Sequence, residues 1–113
     1  MKIGILGTGM VGESIGTKLV ALGHDVKMGS RSTTNEKAIE WAGKNKLHAS
    51  HGTFADAAAF GDLVFNCTHG VASIAALELA GANNLNNKLH VSATARLAIG
   101  PASPTQIISL LGL

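Results

Sequence analysis

The feature that most constrains this chain is a glycine-rich turn near its start, Gly7-Thr8-Gly9-Met10-Val11-Gly12. It directly follows a nearly continuous apolar run, residues 3–6, which is typical of a strand buried on both faces of a sheet. It also opens an amphipathic helix predicted over 10–22, and a second strand is predicted over 25–28. The glycines therefore lie where a βαβ unit that binds a dinucleotide carries them.

Each position of this turn has a chemical task in such a unit. Gly7 permits the tight turn, Gly9 lets a pyrophosphate approach the backbone, and Gly12 brings the helix against the strand. The remaining residues would offer backbone N–H groups at the positive end of the helix dipole; they are Thr8, Met10 and Val11. The alternative is a glycine-rich turn that holds no ligand.

Beyond this unit, short apolar runs continue to alternate with helical patterns. That alternation predicts a Rossmann-type α/β fold, a doubly wound parallel sheet of about five strands with a short helix in the C-terminal tail. Thr33 and Glu36 have the spacing of a capping box at the start of the second helix. The predicted strands are 3–6, 25–28, 47–49, 62–67 and 89–91, and the predicted helices are 10–22, 33–42, 53–60 and 71–79.

The composition changes after the fifth strand. Residues 92–113 hold no acidic residue, one arginine and both prolines of the chain. We therefore divide the chain into a nucleotide-binding domain, 1–91, and a divergent apolar tail, 92–113, that packs on the domain or extends from it. Ser103 and Pro104 favour a short helix through Leu111. Its apolar residues, Ile107, Ile108, Leu110 and Leu111, could pair with another copy, so a homodimer is a further expectation.

Composition also excludes several classes of protein. A chain of 113 residues is the size of one domain, and a net charge of +2 with 4% aromatic residues disfavours nucleic-acid binding. No apolar run approaches about 18 residues, so no membrane span is expected. A single cysteine, Cys67, excludes an internal disulfide and fits a reducing cytoplasm. The histidines lack metal-ligand spacing, so no metal site is predicted.

The end of the second strand indicates which dinucleotide would bind. An Asp or Glu about 20 residues beyond the motif would hold the ribose diol of NAD. This chain has Ser30-Arg31-Ser32 there, with Arg31 at 31 − 12 = 19 positions past the last motif glycine. A guanidinium can bind the 2′-phosphate of NADP in bidentate fashion, and the two hydroxyls can donate to it. The pattern predicts NADP, whereas a solvated Arg31 is the alternative.

The segment after the fourth strand supplies a second group of candidates. Ligands of open α/β sheets collect at the carboxyl ends of strands, so the nicotinamide ribose should pass Cys67, Thr68 and His69. Cys67 has no recognisable base beside it, which favours a small buried core residue over a nucleophile. His69 could contact the cofactor or a substrate, or be an exposed loop histidine. No catalytic residue is assigned, because the cofactor carries hydride chemistry.

At this point the chain resembles the NADPH-dependent reductases of the deazaflavin coenzyme F420, a family related to pyrroline-5-carboxylate reductases. Three segments over roughly residues 1–91 carry the resemblance: 2–12, 29–31 and 55–68. The resemblance implies NADP binding through the glycine loop and the Ser-Arg pair. It further implies direct hydride transfer to a small-molecule acceptor, a deazaflavin or a related compound.

Two departures from the family keep other interpretations open. The chain has Ser92-Ala93-Thr94-Ala95-Arg96 where members usually show Asp or Asn before Pro, and members continue for about another hundred residues. The alternatives are a non-catalytic NADP-binding, sensing or partner-binding module, and a truncated or frame-altered product that lacks its acceptor domain.

Overall fold

The computed structural model describes residues 1–68, 71–85, 89–92 and 97–99, which form one sheet flanked by helices. The strands lie in the order β3-β2-β1-β4-β5-β6, and every neighbouring pair is parallel except the antiparallel pair β5–β6. This arrangement confirms the predicted fold class. The elements are β1 (Lys2–Leu6), α1 (Met10–Ala21), β2 (Asp25–Ser30), α2 (Glu36–Asn45), a 3-10 turn (Lys46–His48), β3 (Ala49–Thr53), α3 (Phe54–Phe60), β4 (Leu63–Asn66), α4 (Val71–Ala80), α5 (Ala82–Leu85), β5 (Leu89–Ser92) and β6 (Leu97–Ile99).

The path of the chain creates a crevice at the centre of the sheet. Strands β1, β2 and β3 are laid side by side in one direction, and the chain then returns to place β4 against the free edge of β1. The connections on the two sides of β1 therefore diverge at the carboxyl ends of β1 and β4. Open α/β sheets bind ligands at this topological switch point.

Two apolar clusters cover the two faces of the sheet. Ile3 and Ile5 of β1 pack in one cluster with Leu19 of α1 and Trp41 of α2. The alternate residue Leu6 belongs to the second cluster, whose helical members come from α3, α4 and α5. Because β1 is buried on both faces, its apolar residues run on without the polar alternation of a half-exposed strand.

The predicted boundaries of β3 and α2 are wrong. Strand β3 spans Ala49–Thr53, and Leu47, in the run predicted as a strand, is 93% exposed. This strand forms because it pairs along its length with β2, which compensates for its lack of large apolar side chains. Helix α2 begins after Asn35, whose side chain accepts from the backbone N–H of Ala38 at 3.0 Å, so Thr33 is not the cap.

Among the described residues the sheet has six strands, whereas about five were predicted. Leu97–Ile99 adds an antiparallel edge strand next to β5, within the range assigned to the tail. Three residues are too few to show a strand pattern, and pairing with β5 supplies the order. The predicted tail helix through residue 111 lies outside the described residues. No helix in the described ranges has both the length and the apolarity of a membrane span.

Candidate dinucleotide-binding site

The carboxyl ends of β1, β2 and β4 lie level at one edge of the sheet. Leu6 of β1 is paired with Gly29 of β2 and with Asn66 of β4. Two backbone hydrogen bonds extend this alignment: the N–H of Gly7 donates to the carbonyl of Gly29 at 3.0 Å, and the N–H of Cys67 donates to that of Leu6 at 2.9 Å. The glycine turn and the segments after β2 and β4 therefore begin side by side.

The three motif glycines meet different surroundings. Gly7 has a φ of 118°, which L side chains rarely adopt. A Cβ on Gly12 would lie 2.7 Å from the carbonyl oxygen of Gly7, so the start of α1 approaches the turn too closely for a side chain. A Cβ on Gly9 would have no atom of the described residues within 4 Å. Only Gly9 therefore leaves open space, where a ligand can approach the backbone.

The N-terminus of α1 is open to an anion. Its N-cap is Gly9, which offers no side-chain hydrogen bond to the first turn. The unpaired backbone N–H groups of a helix N-terminus carry partial positive charge and bind phosphates readily. Met10 at the first helical position is 85% exposed. The fit of a pyrophosphate here rests on the open space at Gly9 and these donors.

Arg31 lies in a cleft of about 280 Å³ beside the glycine turn. Its side chain is exposed, and within the described residues no carboxylate pairs with it. No described residue that lines this cleft is acidic, which leaves the guanidinium available to a bound anion. The lining residues are Gly7, Thr8, Ser30, Arg31, Ser32, Asn35, Phe54, Thr68 and Ala72.

The two predicted serines differ in their availability. Ser30 is buried, and its hydroxyl donates to the carbonyl of Ser32 at 2.6 Å. That bond orders the turn that carries Arg31 and leaves the hydroxyl oxygen of Ser30 as an acceptor. Ser32 is exposed, and its hydroxyl lies 3.3 Å from that of Thr34. Of the two hydroxyls, that of Ser32 is the freer donor toward a phosphate.

A second cleft, of about 330 Å³, lies between the start of α1 and the segment after β4, and it is lined by Gly7, Thr8, Gly9, Met10, Val11, Cys67, Thr68 and Ala72. Cys67 is buried in the core, and this burial raises the pKa of its thiol to about 12. The thiol is therefore protonated at neutral pH and is a poor nucleophile. His69, the third candidate of this segment, lies outside the described residues.

Three residues of the Arg31 cleft were missed in the sequence. Asn35 lines it from the start of α2, Phe54 from the start of α3, and Ala72 from α4. Asn35 had a usable signal, since Asn is a preferred N-cap residue and helix starts border the carboxyl edge of the sheet. Ala72 carries no chemical signal that a sequence could reveal.

Asp25 lies at the opposite end of β2 from the clefts, where it pairs with Lys2 in the sheet register. Its carboxylate is 2.8 Å from Nδ1 of His48, and this hydrogen bond lowers the pKa of the Asp25 carboxyl. Both side chains are about half exposed, so this contact contributes little stability. Asp25 therefore cannot take the place of the acid that binds the ribose diol of NAD.

A parallel sheet with helices on both faces and a G-x-G-x-x-G turn at its switch point defines a Rossmann-type domain. The family comparison narrows this class. The chain belongs to the family described as NADP oxidoreductase coenzyme F420-dependent, whose model matches residues 2–96.

Two solved structures are similar to this chain. A protein described as an F420-dependent NADP-reductase from Arthrobacter sp. FB24 is 34% identical, with a TM-score of 0.74 over 99% of this chain and 58% of its own. A diketoreductase is 16% identical, with a TM-score of 0.58 over 97% of this chain and 60% of its own, and shows similarity of fold alone. The chain thus spans under two thirds of either structure. No curated protein matches it significantly.

Proposed function

We propose that this chain is the NADP(H)-binding part of an oxidoreductase that transfers hydride between NADPH and a deazaflavin of the coenzyme F420 type. The family description and the name of the Arthrobacter protein support the choice of cofactor and acceptor. The observation that carries the proposal is Arg31, an exposed cation at the carboxyl end of β2 whose cleft has no acidic residue among the described ones that line it.

In this proposal, different described residues bind three parts of the dinucleotide. Arg31 and Ser32 bind the 2′-phosphate of the adenosine half, with the guanidinium making charge-assisted hydrogen bonds. The N–H groups of the first turn of α1 bind the pyrophosphate above Gly9. The nicotinamide half then extends across β1 toward Thr68 and the second cleft.

The protein's part in the reaction is to bind and orient. When bound, the nicotinamide supplies the hydride, and the acceptor takes up that hydride together with a proton from solvent. The neutral thiol of Cys67 takes no part, because a reactive cysteine requires a depressed pKa. The described clefts support the binding of the dinucleotide, and the acceptor is proposed from the family alone.

Arg31→Ala tests the cofactor assignment. Loss of a hydrogen bond to a charged group costs about 1.5–3 kcal/mol, so we expect NADPH binding to weaken about 10- to 150-fold while NADH binding stays nearly unchanged. Lys18→Ala is the matched control, since it removes the same charge from the last turn of α1, far from the clefts. Titration calorimetry measures both. Equal losses for NADPH and NADH in Arg31→Ala would contradict the assignment.

A turnover assay tests the reaction. The protein is mixed with NADPH and a deazaflavin acceptor, and the disappearance of the NADPH absorbance is followed against a flavin acceptor and a protein-free control. We expect faster oxidation with the deazaflavin. Tight NADPH binding without turnover would instead favour a non-catalytic NADP-binding module.

A further inference from the structure

Asn66 is a buried polar side chain at the carboxyl end of β4, and the NADP assignment does not use it. Its amide joins the segment after β4 to helix α4. On one side Nδ2 is 3.3 Å from the carbonyl oxygen of Ser73 and 2.9 Å from its hydroxyl. On the other side Oδ1 is 3.2 Å from the backbone N of Thr68 and also contacts the Thr68 hydroxyl.

Two of these partners fix the orientation of the amide. The carbonyl oxygen of Ser73 can only accept, so the amide atom that faces it must be the NH₂ group. The backbone N–H of Thr68 can only donate, so the atom that faces it must be the amide oxygen. A flipped amide would place its NH₂ group against the N–H donor of Thr68 and its oxygen against the carbonyl acceptor of Ser73.

The orientation of Asn66 determines the role of the Thr68 hydroxyl. The amide oxygen has no proton to give, so Thr68 must donate its only hydroxyl proton to Asn66. What the Thr68 oxygen retains is acceptor capacity. Thr68 is half-buried and lines both clefts, so it can present that acceptor to a bound ligand.

We infer that Asn66 is a positioning residue that holds Thr68 Oγ1 as a hydrogen-bond acceptor for a donor group on the nicotinamide-riboside half of the dinucleotide. This inference rests on the proposed function. The donors of that half are the ribose hydroxyls and the carboxamide NH₂ group. Thr68 lines the Arg31 cleft and also the second cleft, which Arg31 does not line, so we assign Thr68 to the nicotinamide half and Arg31 to the adenosine half.

The two halves can be tested separately. NADPH contains both halves, whereas 2′,5′-ADP carries only the adenosine half with its 2′-phosphate. Thr68→Val removes the hydroxyl at nearly constant shape, and we expect it to weaken NADPH about three- to tenfold while 2′,5′-ADP binds as before. Thr68→Ser keeps the hydroxyl and is expected to restore most of the NADPH affinity. Titration calorimetry with both ligands measures these changes.

A double-mutant cycle tests whether Asn66 acts through Thr68. Asn66→Ala should also weaken NADPH in preference to 2′,5′-ADP, and this loss should largely disappear when Thr68 is already Val. If Asn66→Ala does not fold, the two Thr68 variants still test the acceptor role of Thr68 Oγ1, without which Asn66 has nothing to position. Unchanged NADPH affinity in Thr68→Val, or an equal loss for both ligands, would overturn it. A wild-type protein that binds neither ligand would overturn the proposed function, and the inference with it.

Discussion

Replacing Gly9 or Gly12 by alanine should separate ligand binding from folding within one six-residue motif. A Cβ on Gly9 meets no atom within 4 Å in the part of the chain that the structure describes, and the φ of −77° and ψ of −173° of Gly9 suit any L residue. A Cβ on Gly12 lies 2.7 Å from the carbonyl oxygen of Gly7 and 3.4 Å from Cγ2 of Ile5. The first methyl points into the open space, whereas the second points into packed backbone.

The expected stabilities follow from these contacts. For Gly9→Ala, the smaller entropy of the unfolded chain offsets the poorer N-cap, so the free energy of unfolding changes by less than about 0.5 kcal/mol. For Gly12→Ala, overpacking against backbone costs up to about 3 kcal/mol, and the helix propensity of alanine returns about 1. The net loss of about 2 kcal/mol corresponds to a fall in Tm of about 8 °C in a domain of this size.

Although Gly9→Ala should leave the stability nearly unchanged, it should weaken the binding of NADPH. Its new methyl occupies the space through which the pyrophosphate reaches the first turn of α1, so loss of a charged hydrogen bond weakens NADPH at least about tenfold. Thermal unfolding by circular dichroism without ligand and calorimetry with NADPH measure the two quantities. Gly9→Ala with full NADPH affinity, or Gly12→Ala with the Tm of the wild type, would refute this reasoning.

Three further predictions concern residues around the clefts. Because burial raises the pKa of Cys67 to about 12, the folded protein at pH 8 should react with iodoacetamide far more slowly than the protein in urea; equal rates by mass spectrometry would contradict this. Thr53 caps α3 by accepting from the backbone N–H of Asp56 at 3.1 Å, so Thr53→Ala should lower the free energy of unfolding by about 1 kcal/mol in urea titrations. The backbone N–H of Thr53 donates to the Asp56 carboxylate and lowers the pKa of Asp56 in the folded state. The ionised carboxylate therefore stabilises the fold at pH values above the pKa of Asp56 in the unfolded chain. This contribution is lost as the pH falls through the lower pKa of the folded state. The urea midpoint of the wild type should therefore exceed that of Asp56→Asn at pH 7, and the difference should shrink as the pH falls below about 4; a constant difference would rule out this linkage.

The centre of the sheet could be predicted from the sequence because its signals are local. Strand β1 is a continuous apolar run, and the glycine turn occupies consecutive positions, so both are readable without knowing their neighbours. Strand β3 is different. The sequence Ala-Ser-His-Gly-Thr has no large apolar residue, and it becomes a strand only because β2 offers it a partner. Pairing between distant segments is not encoded in a local pattern.

The same distinction applies to the candidate site. The position of Arg31 directly after β2 was predictable because it lies a fixed distance past the glycine turn within one βαβ unit. The start of α2 was not, since residues 32–35 are all favourable N-cap types and the sequence does not choose among them. Phe54 and Ala72 join the Arg31 cleft from separate elements, and only the folded sheet brings them together.

The most direct test of this account is the ratio of the dissociation constants of the wild-type protein for NADH and NADPH, measured by calorimetry in one buffer. The two ligands differ only in the 2′-phosphate. Among the described residues that line its cleft, Arg31 is the only cation that can pair with this phosphate. The account predicts that NADPH binds at least about tenfold more tightly. Equal affinities, or tighter binding of NADH, would contradict it.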